Sequence, residues 1–169
     1  DTIQKEFLKE IQKYSLFSLK GVATPKIVYT PLNGTGNVPV REILREIGIK
    51  DVIVVPEQEN PDGNFPTCSY PNPEERAALE LAVKLAKKEN ADLVLATDPD
   101  ADRTGVAVKT ADGEYRLLNG NETGVLMEDY IFSMRTTDDK RPVIVNTIVP
   151  SAMCEAIATA YGAEVKEVQ

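Results

Sequence analysis

Apolar residues occur along this chain both as short continuous runs and at helical spacing, and their alternation predicts an α/β protein. Runs at 26–30, 51–55 and 92–96 are typical of buried strands. Apolar positions at helical spacing in 39–47 and 73–89 predict an amphipathic helix between successive strands. Because strands that alternate with helices form parallel sheets, we predict a three-layer α/β/α domain.

The same domain is predicted to end in an antiparallel edge. Apolar runs at 105–109 and 115–118 flank Ala111-Asp112-Gly113, which is a typical hairpin turn. The sheet is therefore expected to be mixed but mostly parallel. The helix before the third strand is predicted to open with Asn72 as its N-cap and Pro73 at its first position.

The order of the elements predicts how the chain is divided. Residues 1–20 are expected to form an amphipathic helix and a connector from a preceding domain, and residues 21–117 the α/β/α domain. Residues 118–169 are predicted to hold two helices and two strands, at 122–134, 142–147, 151–161 and 164–168. Four elements cannot close a core, so we expect an incomplete second α/β domain. The start at Asp1 and the stop at Gln169 suggest a fragment of a longer chain.

Composition excludes several classes of function. The net charge of −8 argues against nucleic-acid binding, because no basic stripe is present to neutralise phosphates. The absence of histidine excludes Ser–His triads and His-ligated zinc within this chain. Cys68 and Cys154 fit no metal spacing and are expected to be reduced, as in the cytoplasm. No apolar run approaches 18 residues, so no membrane span is predicted.

Three aspartates directly follow the third predicted strand. Asp98, Asp100 and Asp102 would lie on one side of an extended loop, since side-chain direction repeats every second residue. Three converging carboxylates repel one another unless a cation lies among them, and an all-oxygen site suits Mg²⁺ before Ca²⁺ or Mn²⁺. The sequence therefore predicts a Mg²⁺ site, although a polar turn with solvated aspartates would have the same composition.

Three other interpretations of the acidic loop arise from the sequence, and one of them is excluded. An EF-hand is excluded, because its sixth and twelfth positions would be Arg103 and Lys109 rather than Gly and Glu. A dehalogenase-type phosphatase with Asp98 as nucleophile, and a non-catalytic Mg²⁺-binding module, remain alternatives. Upstream, Gly34-Thr35-Gly36 follows the first strand and precedes a helix. It is interpreted as a tight structural turn rather than a phosphate cradle, because the full dinucleotide fingerprint is lacking.

Four stretches, in order, resemble the α-D-phosphohexomutase superfamily, the phosphoglucomutases and phosphomannomutases. They are the turn at 29–36, the loop at 58–75, the acidic loop at 96–103 in its phosphoglucomutase-2-like variant, and the segment at 119–126 that resembles the opening of domain III. At Asn33 the family often has His. The resemblance implies that 21–117 is domain II and 118–169 the start of domain III.

The resemblance also implies a reaction. In such enzymes a domain I phosphoserine and three aspartates bind Mg²⁺, and the phosphoryl group moves through a bisphosphorylated sugar. Asp98, Asp100 and Asp102 would be the Mg²⁺ ligands, and Arg103 would contact the phosphoserine. The expected partners are a phosphorylated hexose and the remaining domains of the parent chain. The serine loop and the sugar-selecting loop are absent, so the chain alone is expected to be inactive. The expected parent is a phosphoglucomutase, with phosphomannomutase and phosphopentomutase as alternatives.

Overall fold

The structure, a computed structural model, describes residues 2–135, 141–147 and 151–168. Asp1, where the first helix was predicted to start, lies outside the described residues, as does Gln169. The chain divides into two compact units, Asp1–Leu118 and Asn119–Gln169. Within the described residues no helix is both long enough and apolar enough to cross a lipid bilayer.

The first unit is built on a five-stranded mixed sheet with the order β2-β1-β3-β4-β5. Strands β1, β2 and β3 are parallel, and β4 and β5 add an antiparallel edge. In chain order the elements are α1 Thr2–Gln12, β1 Ile27–Thr30, α2 Asn37–Glu46, β2 Val52–Val54, a 3₁₀ turn Pro56–Gln58, α3 Glu80–Glu89, β3 Leu93–Thr97, β4 Thr104–Lys109 and β5 Tyr115–Leu118. The predicted α/β class, mixed sheet and antiparallel edge are confirmed.

The core of this unit lies between the sheet and α3. All four residues of β1 are buried, as expected of a central strand covered on both faces. Ala82 and Ala86 of α3 are fully buried against Val28 and Val94, and these small side chains let the helix approach the sheet closely. The Tyr115 hydroxyl donates to the Ala86 carbonyl at 3.1 Å and thereby ties the antiparallel edge to this helix.

The predicted start of α3 is wrong. The helix begins at Glu80, and residues 73–79 instead form successive turns, although the Asn72 side chain does accept a hydrogen bond from the Glu74 amide at 3.0 Å. The buried Pro73 packs its carbonyl against Gly105, where an added Cβ would lie only 2.1 Å from that oxygen. This contact with β4 overrides the local helical propensity of the segment.

The second unit contains a small parallel sheet and two helices. Its elements are α4 Gly120–Met134, β6 Val143–Thr147, α5 Ala152–Ala160 and β7 Glu164–Val168. Strands β6 and β7 pair in parallel, with Ile144 opposite Val165. Helix α4 opens with a capping box, in which the Asn119 side chain accepts from the Glu122 amide and the Glu122 carboxylate accepts from the Asn119 amide. The two predicted helices and two predicted strands are confirmed.

Candidate metal centre

The acidic loop joins β3 to β4 at the carboxyl edge of the parallel strands. Asp98 directly follows β3, and the chain then turns back on itself, with the Ala101 amide donating to the Asp98 carbonyl at 3.0 Å. Ala101 has a positive φ of 62°, a left-handed conformation that closes the turn. The loop is therefore not extended, and the condition for placing all three side chains on one side by alternation is not met, because the antiparallel pairing of β4 with β3 requires a tight reversal between them.

The three predicted ligands nevertheless come together. One carboxylate oxygen from each of Asp98, Asp100 and Asp102 lies within 4.8 Å of the other two. Asp98 is buried, and its Oδ1 accepts a hydrogen bond from the Arg103 amide at 3.0 Å. Asp100 and Asp102 are exposed, so the cluster has one fixed, buried member and two that face outward.

Charge repulsion dominates the electrostatics of this cluster. The charge of Asp100 is the largest cause of a raised pKa at Asp102, and a hydrogen bond with Asp98 adds to it. Arg103 opposes this repulsion, because its Nε lies 3.7 Å from Asp98 Oδ2 and 3.8 Å from Asp102 Oδ1. One guanidinium against three carboxylates leaves a net negative site.

The residues present fit a hard divalent cation. All donors are carboxylate oxygens, which Mg²⁺ prefers, and one oxygen of each lies within 4.8 Å of the others, so a small rearrangement would bring them onto one ion. A bound cation would also offset the repulsion that raises the pKa of Asp102. Two of the three carboxylates are open to solvent, which leaves coordination positions for further oxygen ligands.

A turn from β1 packs directly against this loop. An added Cβ at Gly34 would lie 2.3 Å from the Pro99 Cα, and one at Gly36 would lie 2.6 Å from the Thr97 Oγ1. Between the two glycines, Thr35 donates from its amide and its hydroxyl to the Pro99 carbonyl, at 2.8 and 3.0 Å. Gly34 is therefore needed for contact with the Pro99 backbone and Gly36 for contact with the Thr97 and Tyr29 side chains, as the interpretation of a structural turn predicts.

A buried tyrosine contacts the end of β3, where the acidic loop begins. The Tyr29 hydroxyl and the Thr97 Oγ1 lie 2.9 Å apart, in hydrogen-bond contact, and both side chains are buried. Burial raises the pKa of Tyr29 to about 12, against the smaller opposing effect of the Thr97 hydrogen bond. This contact fixes the last residue of β3, immediately before Asp98.

Comparison with known proteins decides the family. The model of the family described as phosphoglucomutase/phosphomannomutase, alpha/beta/alpha domain II, matches residues 5–113. The chain belongs to this family. Within it, the acidic loop and the glycine turn both lie in the matched part, and the dehalogenase-type alternative has no support.

Two curated relatives carry the names of mutases that act on different sugar phosphates. A phosphoglucomutase of Staphylococcus saprophyticus is 37% identical over 166 residues, covering 98% of this chain and 30% of that protein. A phosphoribomutase of Saccharomyces cerevisiae is 40% identical over 169 residues, covering 94% of this chain and 27% of that protein. The chain thus spans less than a third of the length of these relatives.

A solved structure shows the same fold. A phosphoglucomutase/phosphomannomutase family protein from Burkholderia thailandensis has a TM-score of 0.76, with 17% identity, over 99% of this chain and 33% of that one. The α/β architecture predicted from the sequence is therefore also that of this solved structure.

The sequence pattern indicates the three aspartates and Arg103 as site residues, but it does not indicate the residues that hold their loop. Thr35 and Tyr29 are 64 and 68 residues from the loop positions that they contact. A signal was present, because parallel neighbours β1 and β3 end at the same sheet edge, so the turn after β1 must lie beside the loop after β3.

Proposed function

We propose that this chain is part of a longer, Mg²⁺-dependent phosphoglucomutase, which interconverts glucose 1-phosphate and glucose 6-phosphate. The observation that carries the proposal is the convergence of Asp98, Asp100 and Asp102 at the carboxyl sheet edge of a family member. The name of the Staphylococcus saprophyticus relative supports the substrate. A structural neighbour from Aspergillus fumigatus was solved in complex with GlcNAc-6P and magnesium, which supports the cation.

The acidic loop would hold the cation. Asp98 is fixed by burial and by the Arg103 amide, so it would present one oxygen in a constant position. Asp100 and Asp102, which face solvent, would complete the protein side of the site. When bound, Mg²⁺ would neutralise charge on phosphoryl oxygens, which is much of what phosphoryl transfer requires.

Arg103 would act beside the cation. Its side chain is 62% exposed, while its Nε stays within 3.8 Å of two ligand carboxylates. These carboxylates orient the side chain, and its outer nitrogens would bind phosphoryl oxygens of a phosphoserine supplied by another domain. The phosphoserine lies outside this chain, so we expect the 169 residues alone to be inactive.

The phosphohexose and the parent's other domains are thus the proposed partners, and the cytoplasm is the proposed location.

The decisive experiment is an assay of the full-length protein. Conversion of glucose 1-phosphate to glucose 6-phosphate is followed by ³¹P NMR for the wild type and for Asp100→Asn. Mutation of a residue that only contacts a metal ligand commonly lowers metal affinity or activity about 10- to 100-fold. Loss of a ligand itself is therefore expected to lower turnover by about 100-fold or more. Asp51→Asn is the matched control, since Asp51 is an exposed aspartate that precedes β2 at the opposite sheet edge. Retained activity in Asp100→Asn contradicts the proposal.

A pentose phosphate is the second candidate substrate. It is favoured by the name of the phosphoribomutase relative and by a human relative named phosphopentomutase, which is 36% identical over 174 residues. The same assay with ribose 1-phosphate separates the two, because the ratio of kcat/KM values reports differential transition-state binding. A higher kcat/KM for ribose 1-phosphate would replace glucose phosphate as the proposed substrate and leave the metal site unchanged.

A further inference from the structure

The exposed threonine of the glycine turn makes an unusual pair of contacts. Both the amide nitrogen and the hydroxyl of Thr35 donate to one acceptor, the Pro99 carbonyl oxygen, at 2.8 and 3.0 Å. That carbonyl carbon is bonded to the nitrogen of Asp100. Holding the oxygen therefore fixes the plane of the peptide that leads into the middle ligand of the proposed metal centre.

The turn that carries Thr35 is itself anchored to the core. Asn33 donates from its backbone to the Gln58 carbonyl at 2.9 Å and from its side chain to the Asn60 carbonyl at 2.9 Å. Gln58 is buried and accepts from the Thr30 hydroxyl at 2.7 Å. Because Thr30 belongs to the central strand β1, the anchor is fixed before it contacts the acidic loop.

The middle ligand has most need of such an anchor. Asp98 is buried and accepts from the Arg103 amide, so its own surroundings fix it. Asp100 is exposed, and repulsion between it and the neighbouring carboxylates tends to separate them when no cation is bound. A site whose ligands must first be drawn together loses affinity by the free energy of that rearrangement.

We propose that Thr35 is a positioning residue for the metal centre, acting through the Pro99 carbonyl to hold Asp100 beside Asp98. This inference rests on the proposed function, because it takes the three aspartates as Mg²⁺ ligands. Thr35 itself does not contact the cation. The Thr35 contact reduces the rearrangement that the acidic loop needs before the loop binds Mg²⁺. Loss of this contact should therefore lower the affinity for Mg²⁺ rather than the stability of the metal-free fold.

Calorimetric titration of the full-length protein with Mg²⁺ tests the role directly. Thr35→Val keeps the amide and the branched shape but removes the hydroxyl, and Thr35→Ser keeps the hydroxyl. Since one net hydrogen bond is at stake, Thr35→Val is expected to weaken Mg²⁺ binding roughly three- to tenfold, and Thr35→Ser to restore it. Thr104→Val, at an exposed threonine just after the loop, is the matched control and should bind as the wild type does.

The outcomes separate this inference from the proposal on which it rests. Weaker binding in Thr35→Val, with Thr35→Ser close to wild type and unchanged thermal unfolding in EDTA, supports it. Wild-type affinity in Thr35→Val, while Asp100→Asn no longer binds, overturns the inference and leaves the metal centre in place. Equal losses in both Thr35 variants, or a matching loss of stability in EDTA, also overturn it. Undiminished binding by Asp100→Asn would instead refute the proposed metal centre.

Discussion

Replacing Gly34 by alanine tests whether the glycine turn and the acidic loop must touch through their backbones. The added Cβ would lie 2.3 Å from the Pro99 Cα and 2.5 Å from the Pro99 carbonyl oxygen. Carbon atoms in favourable contact lie about 3.5 Å or more apart, so the two segments would have to separate by about 1 Å. Both sides of the contact are backbone, and no side-chain rotation can relieve it.

Gly34→Ala has two expected effects. Forcing an extra methyl group into a packed region costs about 1 to 3 kcal/mol, so the free energy of unfolding should fall by that amount. Separation also lengthens the two Thr35 hydrogen bonds to Pro99, so Mg²⁺ binding should weaken at the same time.

Denaturant unfolding in EDTA measures the first effect, and hydrogen exchange at the Thr35 amide measures the local separation. Gly63→Ala is the matched control, because a Cβ there meets nothing within 4 Å. If Gly34→Ala unfolds within about 0.5 kcal/mol of Gly63→Ala, the usual range for surface substitutions, and its Thr35 amide stays equally protected, the backbone contact is not required and the reasoning fails.

Three further predictions concern other parts of the chain. Gly124→Ala, inside α4 with nothing within 4 Å of the new Cβ, should stabilise the protein by about 0.5 to 1 kcal/mol in thermal unfolding; a loss of stability would contradict it. The raised pKa of Tyr29, about 12, means that its neutral phenol contributes fully below pH 10 and loses this contribution as the pH rises towards 12. The wild type should therefore lose roughly 1 kcal/mol relative to Tyr29→Phe between pH 9 and pH 11 in denaturant unfolding, and parallel pH profiles would contradict this. Mg²⁺ at 100 times its Kd should stabilise the full-length wild type by about 2.7 kcal/mol, and Asp100→Asn should lose that gain.

Local sequence determined the secondary structure where the burial of side chains and the backbone preferences of the residues favour the same element. The runs that became β1 and β3 contain β-branched and aliphatic residues, which suit central strands without long-range information, and the similar run of β2 forms the half-buried edge strand beside β1. The hairpin around Gly113 was equally predictable, because its positive φ suits glycine. The sequence likewise indicated which three aspartates would gather at the sheet edge, although a tight turn at Ala101 rather than an extended loop brings them together.

Only the tertiary structure decided how those pieces are held. The start of α3 depends on Pro73 packing against Gly105, a contact across more than thirty residues that outweighs helical propensity. The acidic loop is fixed by Thr35, 64 residues away, through a carbonyl that any residue at position 99 would also present. Backbone groups are the same in every residue, so the sequence does not show which distant carbonyl Thr35 contacts, and the folded sheet has to bring the two segments together.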